Sequence, residues 1–200
     1  MNFQEIKSVL KSKCVGIAGC GGLGSNAAVA LARVGVGRLI IADFDVVSES
    51  NLNRQYFFYD QIGFYKAEKL SENISRINPN TFVDAHVCTL DKQNIPEYFR
   101  NCDVVVEAFD AADMKQMLIE VMCEKLPRIP VVCGMGMAGW GNNYNITEVR
   151  YGNLYICGDM VTEVDEDKPA IAPRVGVVSN MQANLVVSIL LNGNYEDHLK

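Results

Sequence analysis

Residues 14–25 read Cys14-Val15-Gly16-Ile17-Ala18-Gly19-Cys20-Gly21-Gly22-Leu23-Gly24-Ser25, and the fold turns on them. A short apolar run gives way to clustered glycines. An alanine-rich stretch follows in which Leu23, Ala27, Ala30, Leu31 and Val34 share one helical face. Gly19, Gly21 and Gly24 fit the spacing G-x-G-x-x-G. Glycines there permit a tight turn and let phosphate oxygens reach bare backbone. The helix start then offers free N–H groups and positive partial charge. A tight turn that holds no ligand is the plainer alternative, but strand, loop and helix fall in the order a nucleotide loop requires. The loop by itself fits a dinucleotide and ATP equally.

Beyond that helix, Arg38–Ala42 reads as a second strand ending at Asp43, 19 residues past Gly24. A carboxylate there can accept hydrogen bonds from ribose hydroxyls. A helix over 64–77 stops at Asn78-Pro79-Asn80, and strands are expected over 81–87, 103–108 and 129–133. Between them lie a short helix near 93–100 and an amphipathic one through Met114, Leu118 and Val121. Two strand candidates, 143–150 and 154–157, precede a final helix over 174–191. The expectation is an α/β, Rossmann-like fold with a mainly parallel sheet, helices on both faces and mixed strands in the C-terminal third. One domain over residues 1–200 is expected to hold it.

Composition narrows the function. The chain has 200 residues, 49% hydrophobic and 21% charged, which is globular rather than disordered. A net charge of −6 argues against nucleic acid as a main ligand. No uninterrupted apolar run reaches ~18 residues, so no membrane span is expected. The start, MNFQEIKSVLKSK, lacks the apolar core of a secretory signal. Seven cysteines, an odd number with no CxxC pair, suit free thiols in a reducing cytoplasm and give no reason to expect zinc.

The segment 43–55 carries the most chemistry. Arg54 lies just beyond the ribose-type acid, with Asn51 and Asn53 beside it, and Lys66 opens the next helix after Gly63. Two cations and amides near a phosphate loop suggest a triphosphate rather than a pyrophosphate bridge. Asp110, just past the fourth strand, stands above the same sheet edge and could hold Mg²⁺ between phosphates. A solvated surface pair is the plainer reading of Arg54 and Lys66.

Taken together, GCGGLGS (19–25), DFDVVSESNLNRQ (43–55), GFYK (63–66) and EAFDAADMK (107–115) resemble the ThiF/MoeB/HesA family, bacterial relatives of ubiquitin-activating enzymes. The likeness runs over about 10–192, and APRVGVVSNMQANLVVSILL (172–191) resembles the family's last helix. The compact length resembles the ThiF-type branch. The resemblance implies that Gly19, Gly21, Gly22 and Gly24 cradle ATP and that Asp43 binds ribose. It also implies that Asn51, Arg54 and Lys66 contact phosphates, and that Asp110 ligates Mg²⁺. The implied reaction is ATP-dependent adenylation of the C-terminal glycine of a ubiquitin-like sulfur carrier protein. That carrier would be ThiS-like with a Gly-Gly end, serving thiamine thiazole biosynthesis, and the enzyme would be a homodimer. A MoaD-type carrier, a small acid or RNA group, an NAD-binding Rossmann redox module and a scaffold without turnover compete with this reading.

The chain also departs from the family pattern. The two CxxC pairs of many zinc-holding relatives are missing, so no zinc is expected. Thr162–Ala172 holds no cysteine. The nearest, Cys157, reads as packed in a strand, which leaves adenylation without covalent transfer. Lys7, Lys11 and Lys13 stand where relatives commonly supply an arginine to the partner's ATP, and lysine lacks the guanidinium fork. Residues 163–167 read as a solvated acidic loop. Met135, Met137 and Trp140 suit either a channel for a peptide tail or core packing. His86 reads as structural and His198 as part of a polar tail.

Overall fold

Along Arg38–Ala42 burial alternates: Leu39 and Ile41 enter one apolar cluster, Ile40 and Ala42 the other. That period of two is what a strand covered on both faces requires. The computed structural model describes residues 1–193, so His198 lies outside the described residues. Its strands are β1 (Cys14–Ala18), β2 (Arg38–Ala42), β3 (Phe82–His86), β4 (Val104–Glu107), β5 (Val131–Gly134), β6 (Thr147–Tyr151) and β7 (Leu154–Gly158). They form one sheet in the order β3-β2-β1-β4-β5-β7-β6. Every pairing is parallel except β6 with β7.

The helices are α1 (Phe3–Leu10), α2 (Gly22–Val34), α3 (Lys66–Ile77), α4 (Asn94–Phe99), α5 (Ala112–Lys125) and α6 (Ala172–Asn192). One sheet face packs Val15, Ile17, Val104 and Val106 against α1, α2, α3 and α6. The other packs Ile40, Val105, Val131 and Cys133 against Ile95 and Phe99 of α4 and Leu118 and Met122 of α5. The chain leaves β1 towards β2 on one side and returns through β4 on the other. The C-terminal ends of β1 and β4 therefore flank the point where strand order reverses, the place where open α/β sheets bind ligands.

Three details differ from the sequence expectation. Helix α1 was not expected; it forms on a capping box in which Asn2 Oδ1 accepts the Glu5 N–H and Glu5 accepts the Asn2 N–H. Helix α3 starts at Lys66 rather than Phe64, because Tyr65 is held in a bridge with Val46. The strand expected over 143–150 begins only at Thr147, after a short turn at Asn143–Asn145. Helix α6 is long and apolar enough to cross a membrane by length and composition. However, it lies over the sheet with half of that window buried, and it carries the buried Arg174, Ser179 and Gln182.

Candidate functional site

A cavity of about 390 Å³ opens at the C-terminal ends of β1, β2 and β4. Gly19, Gly21, Gly22, Asp43, Arg54, Lys66 and Asp110 all line it. Seven of the nine sequence-derived site residues therefore meet in one hollow, although Lys66 and Asp110 are 44 positions apart in the chain.

The glycine loop is shaped by close approach. A Cβ on Gly24 would sit 1.9 Å from the Gly19 carbonyl oxygen, so this position admits only glycine. Gly19 has φ +96°, and a Cβ there would meet the Ala108 carbonyl at 2.9 Å. Gly24 does not line the cavity; it lets the start of α2 lie close against the loop. The cap residue Gly21 supplies no side-chain bond to the first turn of α2, so its N–H groups stay available to an anion.

Asp43 follows β2 directly. Its Oδ2 accepts the Cys20 N–H at 2.6 Å and its Oδ1 the Asp45 N–H at 2.8 Å. Burial raises its pKa, and the two N–H groups and Lys66 work against that rise. Lys66, only 6% exposed, opens α3 and donates from Nζ to Asp45 Oδ2 at 2.7 Å. Arg54 donates from one terminal nitrogen to the Ser50 carbonyl and to Asn53 Oδ1; its other N–H groups have no partner among the described residues. Asn51 lies outside the cavity lining, and its Oδ1 accepts the Ser48 N–H to cap a short turn. Asp110 is exposed at the cavity edge and has no hydrogen bond or ion pair among the described residues.

Sequence reasoning passed over several residues. Gln55 lines the cavity with its Oε1 buried and unpartnered; its place beside Arg54 was the available signal. Lys115 also lines the cavity, paired with the fully buried Glu107 at 2.9 Å. Cys88, Leu90, Phe44 and Met114 add apolar or thiol surface. These residues are scattered over four segments, and no local pattern marks them. Met137 and Val164 line the far wall, so the acidic loop reaches the cavity through an apolar residue. Met135 and Trp140 are exposed outside the lining.

That wall is fastened by a buried ion pair. Arg174 donates to Asp159 Oδ2 at 2.6 Å and to the Gly141 carbonyl. Asp159 also accepts the Val161 and Thr162 N–H groups and the Thr162 hydroxyl. Burial pushes Asp159 up, but these donors outweigh it and hold its pKa down at about 2. Cys157 is fully buried in β7, and burial pushes its thiol up to about 12. His86 stacks on Tyr98 at 4.2 Å, away from the cavity. Among the described residues, no three His, Cys, Asp or Glu side chains gather as a metal site.

The ThiF family model matches residues 3–200. Adenylyltransferase and sulfurtransferase MOCS3 of Caenorhabditis briggsae is 32% identical over 191 residues, which span 90% of this chain and 46% of that protein. The SAMP-activating enzyme E1 of Haloferax volcanii is 39% identical over 126 residues, 62% of this chain and 46% of that protein. The chain thus spans under half the length of these curated relatives. Molybdopterin-synthase adenylyltransferase of Haemophilus influenzae is 28% identical, with 91% of this chain and 76% of that protein covered. Among solved structures, the Escherichia coli tRNA N6-threonylcarbamoyladenosine dehydratase TcdA in complex with ATP superposes with a TM-score of 0.84. It is 22% identical, and the match covers 94% of this chain and 89% of that one, a likeness of fold.

Proposed function

Because the chain belongs to the ThiF family, we propose that it is an ATP-dependent adenylyltransferase acting on the C-terminal glycine of a ubiquitin-like sulfur carrier. The observation that carries this reading is the meeting of an uncapped helix start, a ribose-type acid, two cations and a free carboxylate in one cavity. A nicotinamide enzyme has no use for Arg54, Lys66 and Asp110 in that arrangement. Adenylyltransferase names among the relatives support the same reaction class.

In this mechanism the carrier carboxylate attacks the α-phosphorus of ATP; the new O–P bond forms as the bond to pyrophosphate breaks. The carboxylate is already ionised at neutral pH, so no general base is required. Asp43 accepts hydrogen bonds from ribose, and the first N–H groups of α2 hold phosphate oxygens. Arg54 and Lys66 offset charge that builds on the α-phosphate and the leaving group. One Lys66 N–H serves Asp45, which leaves two for phosphate oxygens. Asp110 fits a magnesium ion carried by the triphosphate, since Mg²⁺ takes one or two protein carboxylates beside its phosphate ligands. When bound, that ion would neutralise charge on the phosphate oxygens.

The carrier in this proposal is ThiS-like with a Gly-Gly end, which assigns the chain to thiamine thiazole biosynthesis. A MoaD-like carrier is the second reading, favoured by the relative named molybdopterin-synthase adenylyltransferase. A homodimer and a cytoplasmic location belong to the same proposal, the latter supported by seven free cysteines. The test is to incubate the chain with MgATP and each carrier and weigh the carrier intact. A gain of one AMP on the ThiS-like carrier supports the proposal; a gain on the MoaD-like carrier alone supports the second reading. No gain on either overturns both.

A further inference from the structure

Lys115 is the third cation in the cavity wall, and composition alone would count it as a phosphate ligand. Its hydrogen bonds say otherwise. Nζ donates to Glu107 Oε1 and Oε2, both at 2.9 Å, and to the Gly134 carbonyl at 3.1 Å. Those three bonds use all the N–H groups a lysine has. Glu107 is fully buried at the end of β4, so moving Lys115 onto a phosphate would strand a buried carboxylate.

What the pair does hold is the turn that leads to Asp110. Glu107 Oε1 also accepts the Phe109 N–H at 2.7 Å. One residue earlier, the Ala108 N–H donates to the Ala18 carbonyl of β1 at 2.9 Å. Two successive N–H groups before Asp110 are thereby fixed, one by the sheet and one by the Glu107 carboxylate. The carboxylate is in turn oriented by Lys115 from α5. Gln182 of α6 braces the same point, donating to the Glu107 and Val132 carbonyls at 3.1 Å each. Asp110 has no side-chain partner of its own among the described residues, so the backbone position is what sets the reach of its carboxylate.

We infer that Glu107 and Lys115 form a positioning pair that aims Asp110 at the metal-bearing phosphates, and that Lys115 is not itself a phosphate ligand. The inference rests on the ATP–Mg²⁺ reading of the cavity. A phosphate-binding lysine supports ATP with or without metal. A positioning pair behind the metal carboxylate supports only the metal-dependent part.

The test is calorimetric titration of ATP, once in EDTA and once with excess Mg²⁺, into wild type, Glu107→Leu/Lys115→Met and Lys115→Arg. The double substitution removes the buried carboxylate together with the half-buried lysine that neutralises it, which proteins commonly tolerate. It is expected to keep wild-type affinity in EDTA and to lose about tenfold or more of the affinity gained with Mg²⁺, the range typical of groups that orient metal ligands. Lys115→Arg, which can still bind both Glu107 oxygens, is expected to retain most of that gain. Should the double variant not fold, Glu107→Gln/Lys115→Gln, which leaves no unpaired buried charge and nearly preserves side-chain size, is read by the same titrations with the same split expected. Equal losses with and without Mg²⁺ would make Lys115 a phosphate ligand and overturn the inference. Unchanged affinities in both conditions, with only a lower melting temperature, would overturn it as well. A wild type that binds ATP but gains nothing from Mg²⁺ would remove the magnesium role of Asp110, and the inference with it; a wild type that binds no ATP in either condition would remove the nucleotide reading itself.

Discussion

Lys66 and Asp45 are joined twice: Nζ donates to Asp45 Oδ2 at 2.7 Å, and the Lys66 backbone N–H donates to the Asp45 carbonyl at 2.9 Å. The Asp45 N–H in turn donates to Asp43 Oδ1 at 2.8 Å. The acid assigned to ribose and the lysine assigned to phosphate are therefore set by one three-residue segment after β2. Lys66→Met should lower carrier-dependent adenylation by about 10²-fold, the scale for losing one preorganised charge donor. Single-turnover rates at saturating ATP check this. A wild-type rate in the variant would remove Lys66 from the reaction.

Gly24→Ala has a steric consequence that reaches the nucleotide. The new Cβ would lie 1.9 Å from the Gly19 oxygen, so either the loop or the start of α2 must shift. Overpacking of this kind costs ~1–3 kcal/mol. The expected outcome is a lower melting temperature together with loss of the stabilisation that ATP gives wild type. Thermal unfolding with and without MgATP reads both effects.

The Asp159–Arg174 pair makes stability depend on pH in a definite direction. The folded pKa of Asp159 is about 2, below its ordinary value of 3.8. The carboxylate therefore stabilises the fold above about pH 4, and that contribution disappears as pH falls towards 2. Asp159→Asn should cost about 2 kcal/mol at neutral pH, and the cost should shrink through that window. Urea unfolding of both proteins at pH 7, 4 and 2.5 gives the comparison. A pH-independent difference would contradict it.

The thiols divide by burial. Cys123 is exposed on α5, whereas Cys20 and Cys157 are fully buried. A thiol pushed up to about 12 offers little thiolate at pH 8, so Cys157 should resist iodoacetamide in the native protein while Cys123 reacts. Cys157→Ser should leave adenylation intact. A covalent adduct with the carrier that disappears in this variant would assign Cys157 a part in sulfur transfer.

The architecture and the clustering of site residues were legible because each depended on a local pattern. The apolar runs at β1, β2 and β4 are buried on both faces, and Gly19-x-Gly21-x-x-Gly24 needs no distant partner to be recognised. That Asp43 and Asp110 line the cavity is foreseeable because a strand end is a predictable place. Helix α1 was missed because its signal is a single capping box on an eight-residue segment. The resemblance implies a phosphate contact for Asn51; in the fold its Oδ1 caps a short turn and the residue lies outside the cavity lining. Lys115 and Gln55 had no sequence signal beyond lying near marked residues. The role of Lys115 depends on Glu107 and Gly134, which only folding brings to its Nζ.

The most direct measurement is ATP–pyrophosphate exchange driven by a ubiquitin-like carrier that ends in Gly-Gly. The expected result is exchange that requires the carrier's terminal carboxylate and falls about 10²-fold in Arg54→Ala or Asp110→Asn. Absence of exchange with both ThiS-like and MoaD-like carriers, combined with a melting temperature raised by NAD and not by MgATP, would contradict the account.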